Sequence, residues 1–124
     1  MRKPDPTLTP QELAIMKIVW RRGSATVREV YEDIRATRPI AYTTVMTMMN
    51  ILASKGHLRR ARKDRAFRYR PSRPEQAVVR SMVREFVSRV FDGASRPLLL
   101  HLINNRKLTE RERRELLRAI KEAE

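Results

Sequence analysis

The sequence predicts a mainly α fold with one small β-hairpin, and three observations carry that expectation. Capping boxes of the Thr-x-x-Glu type stand at Thr9, Thr26 and Thr109. Apolar residues recur at helical spacing behind them, whereas one short basic stretch alternates with a period of two.

In the first box, Thr9-Pro10-Gln11-Glu12, a cap precedes a proline suited to the first helical position, and Leu8 is placed as a staple. The helix behind it should bury Leu13, Met16 and Trp20, with Ile15 and Val19 beside them, and stop near Gly23. Ser24-Ala25-Thr26 is short enough to be a single small strand. Thr26-Val27-Arg28-Glu29 opens a second helix that turns Val30, Tyr31 and Ile34 inward and ends before Pro39.

A third helix runs from about Thr43 to Lys55 and ends at Gly56. Val45, Met48, Met49 and Leu52 form its buried stripe. Its opposite face, Thr43, Thr47, Asn50 and Ser54, is polar, small and uncharged, where a solvent face more often carries Lys and Glu. Hydroxyls, amides and methyl groups are the chemistry that reads base edges in the major groove.

After Gly56 the pattern becomes that of strands. Leu58 to Lys63 and Ala66 to Arg70 alternate around Asp64-Arg65. Phe67 and Tyr69 should share the core-covering face, and Arg68 and Arg70 the other. The turn lacks the glycine favoured in two-residue hairpins, so a looser loop is expected there. Pro71 and Pro74 close the module.

Helix, short strand, helix, helix, basic hairpin is the order of a winged helix-turn-helix, in which the third helix enters the major groove and the wing follows the backbone or minor groove. On that reading Tyr42, Thr43, Thr44, Met46, Thr47 and Asn50 are the candidate readout residues. Thr26, Arg62, Lys63, Arg65 and Arg68 are the candidate phosphate contacts.

Charge agrees. The 124 residues hold 28 Lys+Arg against 14 Asp+Glu, a net of +14, which calls for a polyanionic partner such as double-stranded DNA. Residues 1–73 carry +11 of it, and Lys55 to Arg73 hold 9 basic residues against the single acid Asp64. A sequence-indifferent architectural nucleic-acid binder is the alternative use of such a surface.

Residues 1–73 are therefore expected to form the winged-helix domain, and residues 74–124 a helical dimerisation segment. About 50 residues bury too little surface to stand alone, yet this segment carries apolar stripes: Val79, Met82, Val83, Phe86, Val90 and Phe91; then Leu98, Leu99, Leu102 and Ile103; then Leu116, Leu117 and Ile120 behind the Thr109 box. A second copy of the same segment would cover them and make an isologous homodimer.

Other chemistry finds no support. No cysteine is present, which excludes disulfides and thiolate metal sites. His57 and His101 stand far apart with no acid cluster, three glycines exclude a glycine-rich phosphate loop, and no serine has a nucleophile context. No enzyme, cofactor or metal is expected. No apolar run approaches the roughly 20 residues of a membrane span, nor does Met1 to Pro6 lead into a signal peptide. The expected location is the cytoplasm, without membrane insertion.

The chain resembles the penicillinase repressor family, the BlaI/MecI-like regulators. The resemblance lies in Leu8-Thr9-Pro10-Gln11-Glu12 with Ile15-Met16 and Trp20, in Thr26-Val27-Arg28-Glu29-Val30, and most specifically in Ala41-Tyr42-Thr43-Thr44-Val45-Met46-Thr47. Leu52, Lys55-Gly56 and the wing Arg65-Ala66-Phe67-Arg68-Tyr69 continue it. It implies a dimeric repressor on a dyad-symmetric operator of a β-lactam-resistance or related operon, relieved by proteolysis through a membrane sensor protease. The copper-responsive branch has a C-terminal cysteine cluster that this chain lacks. The family's Asn-Phe cleavage bond aligns with His101-Leu102, so the resemblance does not carry that bond over.

Overall fold

The computed structural model describes residues 8–105 and 109–123. Two compact units divide the chain between Val79 and Arg80, inside a helix, six residues past the boundary expected after residue 73. The first unit holds α1 (Pro10–Arg22), α2 (Val27–Ile34), α3 (Tyr42–Ser54), β1 (Leu58–Lys63), β2 (Ala66–Pro71) and the start of α4 (Glu75–Phe91). The second holds the rest of α4, α5 (Ser95–Asn105) and α6 (Glu110–Ala123). Among the described residues no helix is long and apolar enough to cross a membrane.

Local rules place the helix ends. Both N-terminal capping boxes close: the Glu12 amide donates to Thr9 Oγ1 and the Glu29 amide to Thr26 Oγ1, each at 3.1 Å, while each glutamate accepts its cap's amide at 2.9 Å. Gly23, at φ 82, ends α1 with its amide on the Val19 carbonyl. The third box closes too, Thr109 with Glu112.

The core of the first unit is Ile15, Met16, Ile18 and Val19 of α1, Val30 and Ile34 of α2, and Val45, Met49 and Leu52 of α3, closed by Leu58, Tyr69 and Val78. Ala25 supplies the expected small strand as one bridge to Tyr69. The buried face of α1 differs from the expected one: Leu13 and Trp20 are only half-buried and Ile18 replaces them. α1 packs against α2, α3 and β2, so its contact arc is wider than a single stripe. Trp20 stays at the rim because its Nε1 must donate, which it does to the Arg73 carbonyl at 2.9 Å. Tyr31 and Met48 are likewise half-buried rather than inward.

The hairpin departs twice from expectation. Lys63 pairs directly with Ala66, so Asp64-Arg65 is a tight two-residue turn, with φ of 53 and 69. Positive φ at both central residues is the type I′ pattern, which suits strand twist and is adopted here without glycine. Phe67 is exposed (41%) because it lies beyond the core on the projecting strands, while Tyr69, two residues nearer the helices, is buried.

Glu12 is more than a cap. It is nearly enclosed, and Lys55 at the end of α3 reaches it at 3.0 Å. Burial pushes its carboxyl upward, but the Thr9 amide and the Lys55 ammonium outweigh that and hold it below the ordinary carboxylate value. A depressed folded value gives stability that is present above the unfolded value, about 4.3, and lost as pH falls through the folded one. Lys55→Met should therefore cost about 1–2 kcal/mol at pH 7, kept modest by the lysine's partial exposure. Denaturant unfolding at pH 7 and pH 3 should find the gap from wild type shrinking at the lower pH. An equal gap at both values would mean that charge is not the cause.

Candidate nucleic-acid interface

Three buried anchors, Val45, Met49 and Leu52, set the rotation of α3 and so decide which side chains leave the protein. Thr43, Thr44, Met46, Thr47 and Ser54 are exposed, in line with the expected outer face. Ile51 joins them at 42% exposure. Sequence reading missed Ile51 because an isoleucine beside a buried leucine is ordinarily assigned inward, and only its position about a third of a turn from the anchors could have singled it out.

Tyr42 begins α3 with its ring edge-on to Tyr31 (5.4 Å) and Arg28 over its face (5.5 Å). Arg35 lies over Tyr31 at 5.3 Å, and Glu32 pairs with both arginines. This cluster braces the start of α3 against α2.

Asn50 is placed otherwise than expected. It is half-buried, and its Oδ1 accepts Tyr69 Oη at 2.8 Å and Arg60 Nη1 at 2.9 Å. The amide oxygen is thus engaged by the wing rather than turned outward.

Five of the seven basic residues of the hairpin fall into two sets. Arg62, Lys63, Arg65 and Arg70 are exposed, and among the described residues none of them is in an ion pair. Arg68 is instead tied inward: one nitrogen donates to Ser24 Oγ at 3.0 Å and another meets Glu29 Oε1 at 3.3 Å. The hydroxyl of Thr26 is likewise occupied as the α2 cap. Thr26 and Arg68, with Lys63, Asp64 and Ala66, line an open cleft of about 320 Å³ between the wing and α2.

The acids explain that separation. Glu29 is held below the usual carboxylate value by the Thr26 amide, against some burial, with Arg68 and Arg22 adding to the effect. Asp33 is lowered chiefly by Arg22, whose Nε donates at 2.7 Å, and by Arg21. Negative charge therefore collects between α1 and α2 and neutralises the arginines there, leaving the hairpin tip and α3 electropositive or neutral. No group of three or more His, Cys, Asp or Glu suited to a metal occurs among the described residues.

In the second unit, α5 packs against α6, with Leu98 and Leu102 half-buried. Along α4, Val79 (36%), Val83 (50%), Phe86 (41%) and Val90 (51%) lie exposed at i, i+4, i+7 and i+11, one helical face, with Met82 half-buried beside them. Leu117 of α6 is exposed as well. The side chains of Leu99, Ile103, Leu116 and Ile120 lie outside the described residues.

Known proteins resemble the chain along nearly its whole length. The penicillinase repressor of Bacillus licheniformis is 28% identical over 97% of this chain and 94% of its own. The transcriptional regulator BlaI of Mycobacterium tuberculosis is 37% identical over 74% and 68%. The methicillin resistance regulatory protein MecI of Staphylococcus aureus is 23% identical over 88% and 89%. Among solved structures, the DNA-binding domain of the repressor BlaI superposes with TM-score 0.54 at 32% identity, covering 60% of this chain and 90% of that one. The monomeric form of B. licheniformis BlaI in complex with the blaP half-operator gives 0.52 at 30%, covering 61% and 92%. The model of the penicillinase repressor family matches residues 8–122, from the staple before the first capping box to the last helix, and the chain belongs to that family, one of transcriptional repressors and not of enzymes.

Proposed function

We propose that the protein is a homodimeric, sequence-specific repressor that lays α3 of each subunit into one half-site of a dyad-symmetric DNA operator and so blocks transcription. One observation carries this reading: an exposed, uncharged face of α3 stands beside a hairpin tip whose cations are in no ion pair among the described residues, while Asp33 and Glu29 are engaged by Arg21, Arg22 and Arg68. Such a face can approach base edges without desolvating charge, and such a tip can bind phosphate.

The division of labour follows from exposure. Thr43, Thr44 and Thr47 offer hydroxyls and methyls, and Met46 and Ile51 offer apolar contact suited to thymine methyl groups. Arg62, Lys63 and Arg65 grip the backbone. Arg65 holds φ 69, where glycine would be less strained, and a cation kept at a strained turn points to a use for its charge. The α4 stripe pairs with its copy, which spaces the two α3 helices by whole turns of DNA. Proteolytic relief by a sensor protease fits the same design, since a cut that separates Val83, Phe86 and Val90 from the first unit would uncouple the half-sites.

Footprinting on DNA flanking the protein's own gene, with a β-lactam-resistance operator as second probe, tests the reading. The expected result is a protected inverted repeat, preferred over bulk DNA by roughly 10³ or more. Uniform protection would make it an architectural binder instead. Within the repeat, Thr47→Ala should cost about 1–3 kcal/mol and relax selection at one base pair, whereas Arg65→Ala should weaken all sequences alike. Equal behaviour of the two variants would remove the distinction between reader and anchor.

A further inference from the structure

Where α3 meets the wing, one arginine is held from two sides. Arg60 Nη1 donates to Asn50 Oδ1 at 2.9 Å, and its guanidinium lies 4.6 Å from the centroid of the Phe67 ring. The same Asn50 oxygen accepts the hydroxyl of Tyr69, a buried residue whose backbone bridges to Ala25. Asn50 is thereby fixed to the core, and Arg60 takes its position from Asn50.

A guanidinium carries five N–H donors in a rigid fork, and Asn50 takes one of them. No ion pair involves Arg60 among the described residues, although the chain spends acids freely on the arginines of α1 and α2. Phe67 is a large aromatic left exposed, with the arginine over its face. An arginine that has already surrendered its rotamer freedom binds an anion more cheaply than a free one. The planar fork suits a phosphodiester.

We infer that Arg60 is a DNA-phosphate contact at the helix–wing junction, preorganised by Asn50 and Phe67 as positioning residues, and that Asn50 reads no base. The phosphate belongs to the strand bordering the groove that α3 occupies. This rests on the DNA-binding reading above, but not on its sequence specificity, because a phosphate contact acts on any duplex.

The full-length chain is titrated against two duplexes of equal length, the footprinted repeat and a random sequence, across a salt series. Arg60→Ala should weaken both alike, roughly tenfold to a hundredfold, and lower the salt slope by about 0.9. Arg60→Lys should restore the slope but little of the affinity, since a point charge neither forks nor stacks. Asn50→Ala should weaken both duplexes by a smaller common factor that does not multiply with that of Arg60→Ala. Phe67→Leu, at an exposed position that leaves the fold intact, should act in the same direction and serves if Asn50→Ala melts early. The inference is overturned if Asn50→Ala relaxes selection at one base pair, if the two factors multiply, or if Arg60→Ala leaves the salt slope unchanged. Wild-type protein without salt-dependent binding to either duplex would instead remove the DNA-binding reading itself, before any variant is measured.

Discussion

Replacing Val83 and Val90 together with lysine is expected to yield a folded monomer whose operator affinity falls by roughly 10²–10⁴. Both valines are about half exposed on α4, at 50% and 51%, and lysine is the better helix former, so the helix itself should not suffer. What changes is the interface. In the proposed dimer a two-fold axis would bring each stripe against its own copy, so four new ammonium groups would meet where apolar surface would otherwise be buried. The affinity loss follows from linkage: once one half-site is bound, the second binds at an effective concentration set by the tether, and a monomer forfeits that gain without losing any DNA contact of its own. Sedimentation equilibrium, thermal melting and operator titration read the three parts separately. A double variant that still dimerises at micromolar concentration would mean that α4 does not carry the interface.

Tyr69→Ala should be the most damaging single change in the first unit, at about 3–5 kcal/mol, a large part of the stability of a domain this size. The ring is among the largest fully buried side chains and closes the core between the wing and the helices. Its removal leaves a cavity that backbone bridged to Ala25 and paired to Arg60 cannot collapse to fill. It also releases the Asn50 oxygen from its anchor. Tyr69→Phe keeps the volume and should cost only about 1 kcal/mol, the net worth of one hydrogen bond. Chemical denaturation of both variants measures the two terms, and equal losses would show that the hydroxyl, not the ring, holds the wing.

Most of the fold was legible in the residues. Capping boxes at Thr9, Thr26 and Thr109 close as read, α3 begins within one residue of its expected start, and the strands fall on either side of Asp64-Arg65. The outer face of α3 was legible as well, because its buried stripe leaves Thr43 and Thr47 nowhere else to point. Three of the misplacements share one feature: sequence neighbours assign Trp20, Asn50 and Arg68, but a partner far along the chain decides where each of them sits.

Helix starts, strand period and the surplus of positive charge are local or additive properties, governed by backbone hydrogen bonding within a few residues and by simple composition, so the chain alone determined them. Which cations remain available for phosphate was decided only in three dimensions. Glu29 claims Arg68 across the fold, Glu12 claims Lys55 from 43 residues away, and Asn50 draws Arg60 to the junction. An ion pair depends on distance in space, falling off over a few ångströms, and nothing in spacing along a sequence reports that distance before the core has formed.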